Sequence, residues 1–276
     1  MYESYWGFKD KPFENTPDQR FFYATAKHEE ALMRLLYAVK ERKSFAMLSG
    51  EYGSGKTLIT HVITSHLLSE ENKYNIAVII NPDLDSDELL EEIIYQLGKN
   101  TPTITRRGKL LRELNQILYA TSVQHKHTVI IIDEAQAIRD EKTMEELRLL
   151  LNFQLNNRFL LTLLLCGQPE LRAQISQVKQ FEQRLAVRYH LEHLSEIETA
   201  GYVKHRCQVA GQQEEIFSSD AGSAIHFASE GIPRLINTIS DTALLVGMNH
   251  HLRQIDRAII EEVAADLNLA VGAGND

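Results

Sequence analysis

The chain has 276 residues, 43% of them apolar and 24% charged, the make-up of a globular protein with a sizeable core, which excludes disordered and fibrous classes. Lysine and arginine total 29 against 38 aspartates and glutamates, a formal charge of −9, so the chain as a whole is no polyanion binder and only a local basic patch, acting over about 10 Å, could hold nucleic acid. No run reaches the roughly 18 apolar residues of a membrane span, the N-terminus is not a charged-then-apolar signal, and Cys166 and Cys207 have neither CxxC nor metal spacing, so the expected setting is the cytoplasm with both thiols buried and reduced.

Residues 1–30 are interrupted by Pro12 and Pro17 and carry Tyr5, Trp6, Phe8, Phe13, Phe21, Phe22 and Tyr23. So many rings are costly in water, and the segment is expected to pack across the face of a folded domain. Over 28–40, Ala31, Leu32, Leu35, Leu36 and Val39 recur at helical spacing. A strand is predicted at 45–49, a helix at 58–68, and a second strand at 76–80, stopped by Asn81 and Pro82. A helix at 87–97 has acids in its first turn, as the helix dipole favours. There follow a helix at 107–124, a strand at 128–132 ending at Asp133, a helix at 142–155, and strands at 159–166 and 186–191. These strands are continuous apolar runs, the mark of strands buried on both faces of a parallel sheet covered by helices. Beyond about 194 only helical patterns remain, at 196–210, 220–229, 235–248 and 256–267, so a domain boundary is expected near 193. The last five residues, from Gly272, are expected to fray.

Gly50, Glu51, Tyr52, Gly53, Ser54, Gly55, Lys56 and Thr57 match G-x-x-x-x-G-K-[ST] between the first strand and the helix after it. A loop that wraps a phosphate must turn successive backbone N–H groups inward, and Gly50, Gly53 and Gly55 permit that backbone. The helix N-terminus adds partial positive charge. Lys56 is assigned to the β and γ phosphates and Thr57 to Mg²⁺, and the loop with Leu58 is the expected ATP cradle. Asp133 and Glu134 end the third strand, at the sheet edge where ligands of such folds bind. Asp133 is the candidate Mg²⁺ residue, and Glu134 the candidate general base that polarises the attacking water. The adjacent glutamate argues against a simple nucleotide kinase.

Taken together, the chain resembles the AAA+ ATPases, and among them the general secretion pathway A (ExeA-like) ATPases. The most specific stretch is Met1-Tyr2, Trp6-Gly7-Phe8, Lys11-Pro12-Phe13, Thr16-Pro17-Asp18, Phe22-Tyr23 and His28-Glu29-Glu30-Ala31-Leu32. Asp133-Glu134-Ala135-Gln136 and Cys166-Gly167-Gln168-Pro169-Glu170-Leu171 also match. The resemblance implies an AAA+ P-loop fold: a five-stranded parallel sheet sandwiched by helices in 1–193, with the aromatic segment 1–30 counted in that domain, then a small all-α lid at 194–276. It implies that Gln168 is sensor 1, that Arg184 is an arginine finger given in trans to a neighbouring subunit, with Arg188 its rival, and that Arg234, in Gly231-Ile232-Pro233-Arg234, is sensor 2 reaching the γ-phosphate. For the adenine it points to the N-terminal aromatic segment and His28 without singling out one residue. It implies ATP hydrolysis, homo-oligomeric rings and a membrane-embedded secretion, pilus or export partner, with the ATPase itself cytoplasmic or peripheral to the inner membrane. Longer relatives continue into a membrane span and a peptidoglycan-binding region; this chain stops at Asp276, which leads to the expectation of a separate membrane partner. The alternative is a DNA-associated ATPase such as a transposition regulator.

Other features read as structural. The 11 histidines, among them His125/His127, His190/His193 and His250/His251, form no ligand pattern. Arg106-Arg107-Gly108-Lys109, a basic cluster near a helix start, reads as a solvated loop, with contact to a phosphate backbone or an acidic lipid surface the alternative, and 141–148 as a solvated helix face with i,i+4 pairs.

Overall fold

The computed structural model describes residues 1–70, 72–98, 106–155 and 158–270. They form two compact units, one of residues 26–52 and 59–191, the other of residues 1–25, 53–58 and 192 onward.

The first unit is built on strands β1 (Phe45–Gly50), β2 (Tyr74–Ile79), β3 (His127–Ile132), β6 (Leu161–Gly167) and β7 (Leu185–Leu191), in the order β2-β3-β6-β1-β7. Every pair is parallel. The three central strands are buried along their whole length and the edge strands β2 and β7 only in part, which is why the apolar runs at 45–49, 128–132 and 159–166 are the most continuous. Helix α2 (Ala26–Lys40) precedes β1, and α3 (Lys56–Ser69), α4 (Ser86–Gly98), α5 (Arg107–Val123), α6 (Glu141–Leu150), α7 (Glu170–Gln177) and α8 (Lys179–Glu182) fall between the strands. The sandwich of helices on a five-stranded parallel sheet is the architecture expected from the sequence.

Four local expectations are corrected. The helix predicted at 142–155 ends at Leu150, because Gln154–Leu155 (β4) pairs antiparallel with Arg158–Phe159 (β5). The fourth long strand therefore starts at Leu161, not at Phe159. The face read as solvated over 141–148 holds one buried acid: Glu146 is 2% exposed and accepts from Arg107 Nε at 2.8 Å. Arg107 thus belongs to α5 and to an ion pair rather than to a solvated loop.

The second unit gathers α9 (Glu196–Val209), α10 (Ser219–Ser229), α11 (Pro233–Asn249) and α12 (Arg257–Asp266), with the short α1 (Glu3–Trp6). Local chemistry starts each of the four long helices. Ser195 and Glu198 form a capping box on α9, Ser218 and Asp256 cap α10 and α12, and Pro233 occupies the first turn of α11. The resemblance places residues 1–30 with the nucleotide-binding domain; residues 1–25 pack instead in this helical unit. Trp6, Phe8, Phe13 and Phe21 share one core with Ile236, Ile239, Leu244, Ile255 and Ile260. Trp6 Nε1 donates to the carbonyl of Leu244 at 2.9 Å. The guanidinium of Arg206 donates to the carbonyls of Pro12 and Glu14 and to the Tyr202 hydroxyl, and it lies 4.7 Å from the Phe21 ring centre.

Among the described residues no helix is long and apolar enough to cross a membrane. Cys166 and Cys207 are free and buried, and burial pushes the Cys207 thiol up to about 12.

Candidate nucleotide site

β1 ends at Gly50 and the chain turns through residues 51–55 into α3, which starts at Lys56. Gly53 and Gly55 have φ of 81° and 99°, a region that side chains other than glycine's enter only at a cost. A Cβ on Gly53 would lie 2.8 Å from Cβ of Arg234 and 3.1 Å from Cγ2 of Ile232. The loop backbone therefore packs directly on the start of α11, where the chain places Arg234. Lys56 is 4% and Ser54 2% exposed. Ser54 Oγ is buried with no hydrogen-bond partner, a state that costs about 1–3 kcal/mol. An oxygen of a bound phosphate would accept from it. Glycines in a left-handed backbone, a helix N-terminus and an orphaned buried hydroxyl fit a phosphate group.

The neighbouring strand ends supply the second part. In sheet order β6 lies between β1 and β3, so Gly50, Gln168 and the pair Asp133/Glu134 come to one edge of the parallel sheet. Asp133 is 2% exposed and its N–H continues the ladder to the carbonyl of Ile79 at 2.8 Å. Glu134 then leaves the strand with φ 49° and ψ 35°, a left-handed backbone that costs a non-glycine residue about 1–2 kcal/mol. Its N–H donates to Asp133 Oδ1 at 3.0 Å, and its carboxylate accepts from Gln136 Nε2 at 2.6 Å. The N–H of Gln168 donates to Gln136 Oε1 at 2.9 Å. Gln136 is a site residue with no role expected from the sequence; nothing in its spacing marks it, because its partners Glu134 and Gln168 meet it only once the chain has turned.

The threonine hydroxyl and buried carboxylate assigned to Mg²⁺ are hard oxygen donors, the kind that ion takes together with phosphates and water. Among the described residues no three His, Cys, Asp or Glu side chains cluster as a metal site of their own, and the histidines form none.

Arg184 stands elsewhere. It precedes β7, at the opposite edge of the sheet from Gly50. Its guanidinium donates to the carbonyl of Leu151 and to Asn152 Oδ1, each at 2.7 Å. Arg188 lies within β7 opposite Met47 and pairs with Glu182 Oε1 at 3.1 Å. His28 is buried in the first turn of α2, 6% exposed.

Fold and strand-end chemistry together define a P-loop protein of the AAA+ type. Residues 39–175 match the AAA domain family: the chain carries an AAA domain. It is 37% identical over 249 residues to General secretion pathway protein A of Aeromonas hydrophila, which is 89% of this chain and 44% of that protein. The chain thus spans less than half of that relative. Solved structures share the fold at low identity. The ORC2 protein of Aeropyrum pernix in its ADPNP-ADP complexes aligns with a TM-score of 0.65 at 15% identity, over 96% of this chain and 73% of that one. Drosophila ORC bound to DNA aligns with a TM-score of 0.67 at 15% identity, over 94% and 66%.

Proposed function

We propose that this chain hydrolyses ATP to ADP and phosphate, assembles with copies of itself through nucleotide-bridged interfaces, and drives assembly or remodelling of a cell-envelope secretion or export machine. The observation that carries the hydrolysis is the pair Asp133/Glu134 at the same sheet edge as the end of β1. In this reading Lys56 and the backbone of residues 50–58 hold the phosphates. Thr57 and Asp133 hold Mg²⁺, which when bound neutralises phosphate charge. Glu134 takes a proton from the attacking water, Gln168 and Arg234 contact the γ-phosphate, and Arg184 completes the site of a neighbouring subunit. We assign residues 26–193 to nucleotide binding, and the helices after them, with the aromatic segment 1–25 that packs among them, to a lid. The likeness to General secretion pathway protein A supports a membrane-embedded secretion or export partner and a place in the cytoplasm, at the inner membrane.

Phosphate release by wild type, Lys56→Ala and Glu134→Gln tests this. Lys56→Ala is expected to lose ATP binding. Glu134→Gln is expected to keep it and lose turnover by about 10²–10⁴-fold, the usual worth of a general base. Unchanged turnover in Glu134→Gln would refute water activation at this residue. Adding duplex DNA at low salt separates the clients: binding that weakens steeply with salt, together with stimulated turnover, would move the client from an envelope machine to nucleic acid.

A further inference from the structure

We infer that Gln136 is a positioning residue for hydrolysis: one end of its side-chain amide holds the Glu134 carboxylate and the other holds the β6–α7 turn that carries Gln168. The inference deepens the ATPase reading above and rests on it.

Three observations converge. First, the amide is used at both ends, Nε2 donating to Glu134 Oε2 at 2.6 Å and Oε1 accepting from the N–H of Gln168 at 2.9 Å. Its orientation is fixed by the partners, since the flipped amide would set acceptor against carboxylate and donor against N–H. Second, its backbone is pinned. Residues 135–137 form one tight turn, and the carbonyl of Gln136 accepts from Gln174 Nε2 at 3.2 Å. Third, the sheet makes room for it. A Cβ on Gly167 would lie 2.6 Å from Gln136 Oε1 and 2.9 Å from Leu171 Cδ2. Gly167 is not among the glycines with positive φ. Its backbone does not call for glycine; the space taken by the Gln136 amide and the Leu171 side chain does.

The chemistry asks for such a group. A carboxylate on a flexible stem must be held in one orientation to take a proton from water, and misplacement by about 1 Å costs up to ~10²-fold in rate. A neutral amide donor fixes the carboxylate without the charge of a lysine or arginine, which would compete for it as an ion pair. Because one rigid amide joins both groups, movement of the Gln168 turn is passed to Glu134.

The test compares Gln136→Met, which loses both hydrogen bonds, with Gln136→Glu, which keeps the acceptor for Gln168 and loses the donor to Glu134. Steady-state phosphate release gives kcat and KM, and a fluorescent ATP analogue gives affinity. Both variants are expected to lose kcat by about 10- to 100-fold with affinity within about twofold. Gly167→Ala should reproduce the loss by displacing the amide, and should add little on top of Gln136→Met, as expected for coupled neighbours. Wild-type kcat in Gln136→Glu would overturn the proposal and leave the amide a staple of the turn. So would a loss confined to affinity. If Glu134→Gln is inactive while Gln136→Glu turns over normally, this inference alone fails. If wild type releases no phosphate, the ATPase reading fails and takes this one with it.

Discussion

His127 lies on β3, 3% exposed, with Nε2 2.8 Å from Thr162 Oγ1. Thr162 gives its only hydroxyl proton to the carbonyl of Lys43, 2.6 Å away. Its oxygen must therefore accept from the ring, which places a proton on Nε2. Burial first, and then the charge of Arg42, press its pKa down to about 3. In the unfolded chain the ring titrates near 6.5. Between about 6.5 and about 3 the unfolded state binds a proton that the folded state refuses, so stability is full above pH 6.5 and falls as pH drops through that window, by at most ~1.4 kcal/mol per pH unit. His127→Gln should flatten urea-denaturation free energies between pH 6.5 and 4 relative to wild type; a variant profile parallel to wild type would rule the ring out as their source. At this scale the sequence makes motifs legible when their parts are adjacent, as at Gly50–Thr57 and Asp133-Glu134. It hides those whose partners meet only through a turn or between elements far apart in the chain. Gln136 with Gly167, and Glu146 with Arg107, belong to the second kind.

The N-terminal segment shows the same limit for whole elements. Its aromatic spacing announces burial but not the partner. Trp6 reaches Leu244 in α11, and Phe13 meets Phe217, just before α10, edge-on at 5.8 Å, both far along the chain, so local periodicity carries no trace of them. Helices α7 and α8 escape for another reason: buried anchors such as Leu171, Ile175 and Phe181 span too few turns to declare a period. The strands, by contrast, are legible because burial on both faces leaves an uninterrupted apolar run. What ties the aromatic segment down is Arg206, 6% exposed, whose acceptors at Pro12, Glu14 and Tyr202 are all neutral. Arg206→Met keeps the length and removes every donor, leaving those acceptors short of a partner at about 1–3 kcal/mol for each that stays buried. Arg206→Lys retains the charge but not the planar fork, so it should rescue only part of the loss. The chain has a single tryptophan, Trp6, 4% exposed, and its fluorescence reports on this docking. Arg206→Met is expected to shift that emission to the red at a lower temperature than in wild type. Coincident emission melts would show that the guanidinium does not hold the segment.

At the scale of the molecule, the sheet itself separates Arg184 from the phosphate loop of its own chain. β1 and β7 run parallel, with Phe45 opposite Leu185 and Gly50 opposite Leu191. Five steps at about 3.3 Å put roughly 17 Å between the edge that holds Arg184 and the edge where the loop begins, a span beyond one side chain. If Arg184 contacts a γ-phosphate, that phosphate belongs to another copy, and the guanidinium must exchange the Leu151 carbonyl and Asn152 Oδ1 for it. Both acceptors are neutral, so the exchange breaks no ion pair. Arg188 would first have to leave Glu182. A site divided in this way can be rebuilt from two defective parts. Arg184→Ala supplies an intact Glu134, and Glu134→Gln supplies an intact Arg184. Each alone is expected to be nearly inactive. Mixed, they form some interfaces in which Glu134 of one copy meets Arg184 of the next, and turnover should reappear to a fraction of the wild-type rate and rise with protein concentration. The same mixing with Arg188→Ala identifies which arginine is donated. Two folded, nucleotide-binding variants that stay inactive when mixed, at concentrations where wild type is active, would refute donation of Arg184 between subunits.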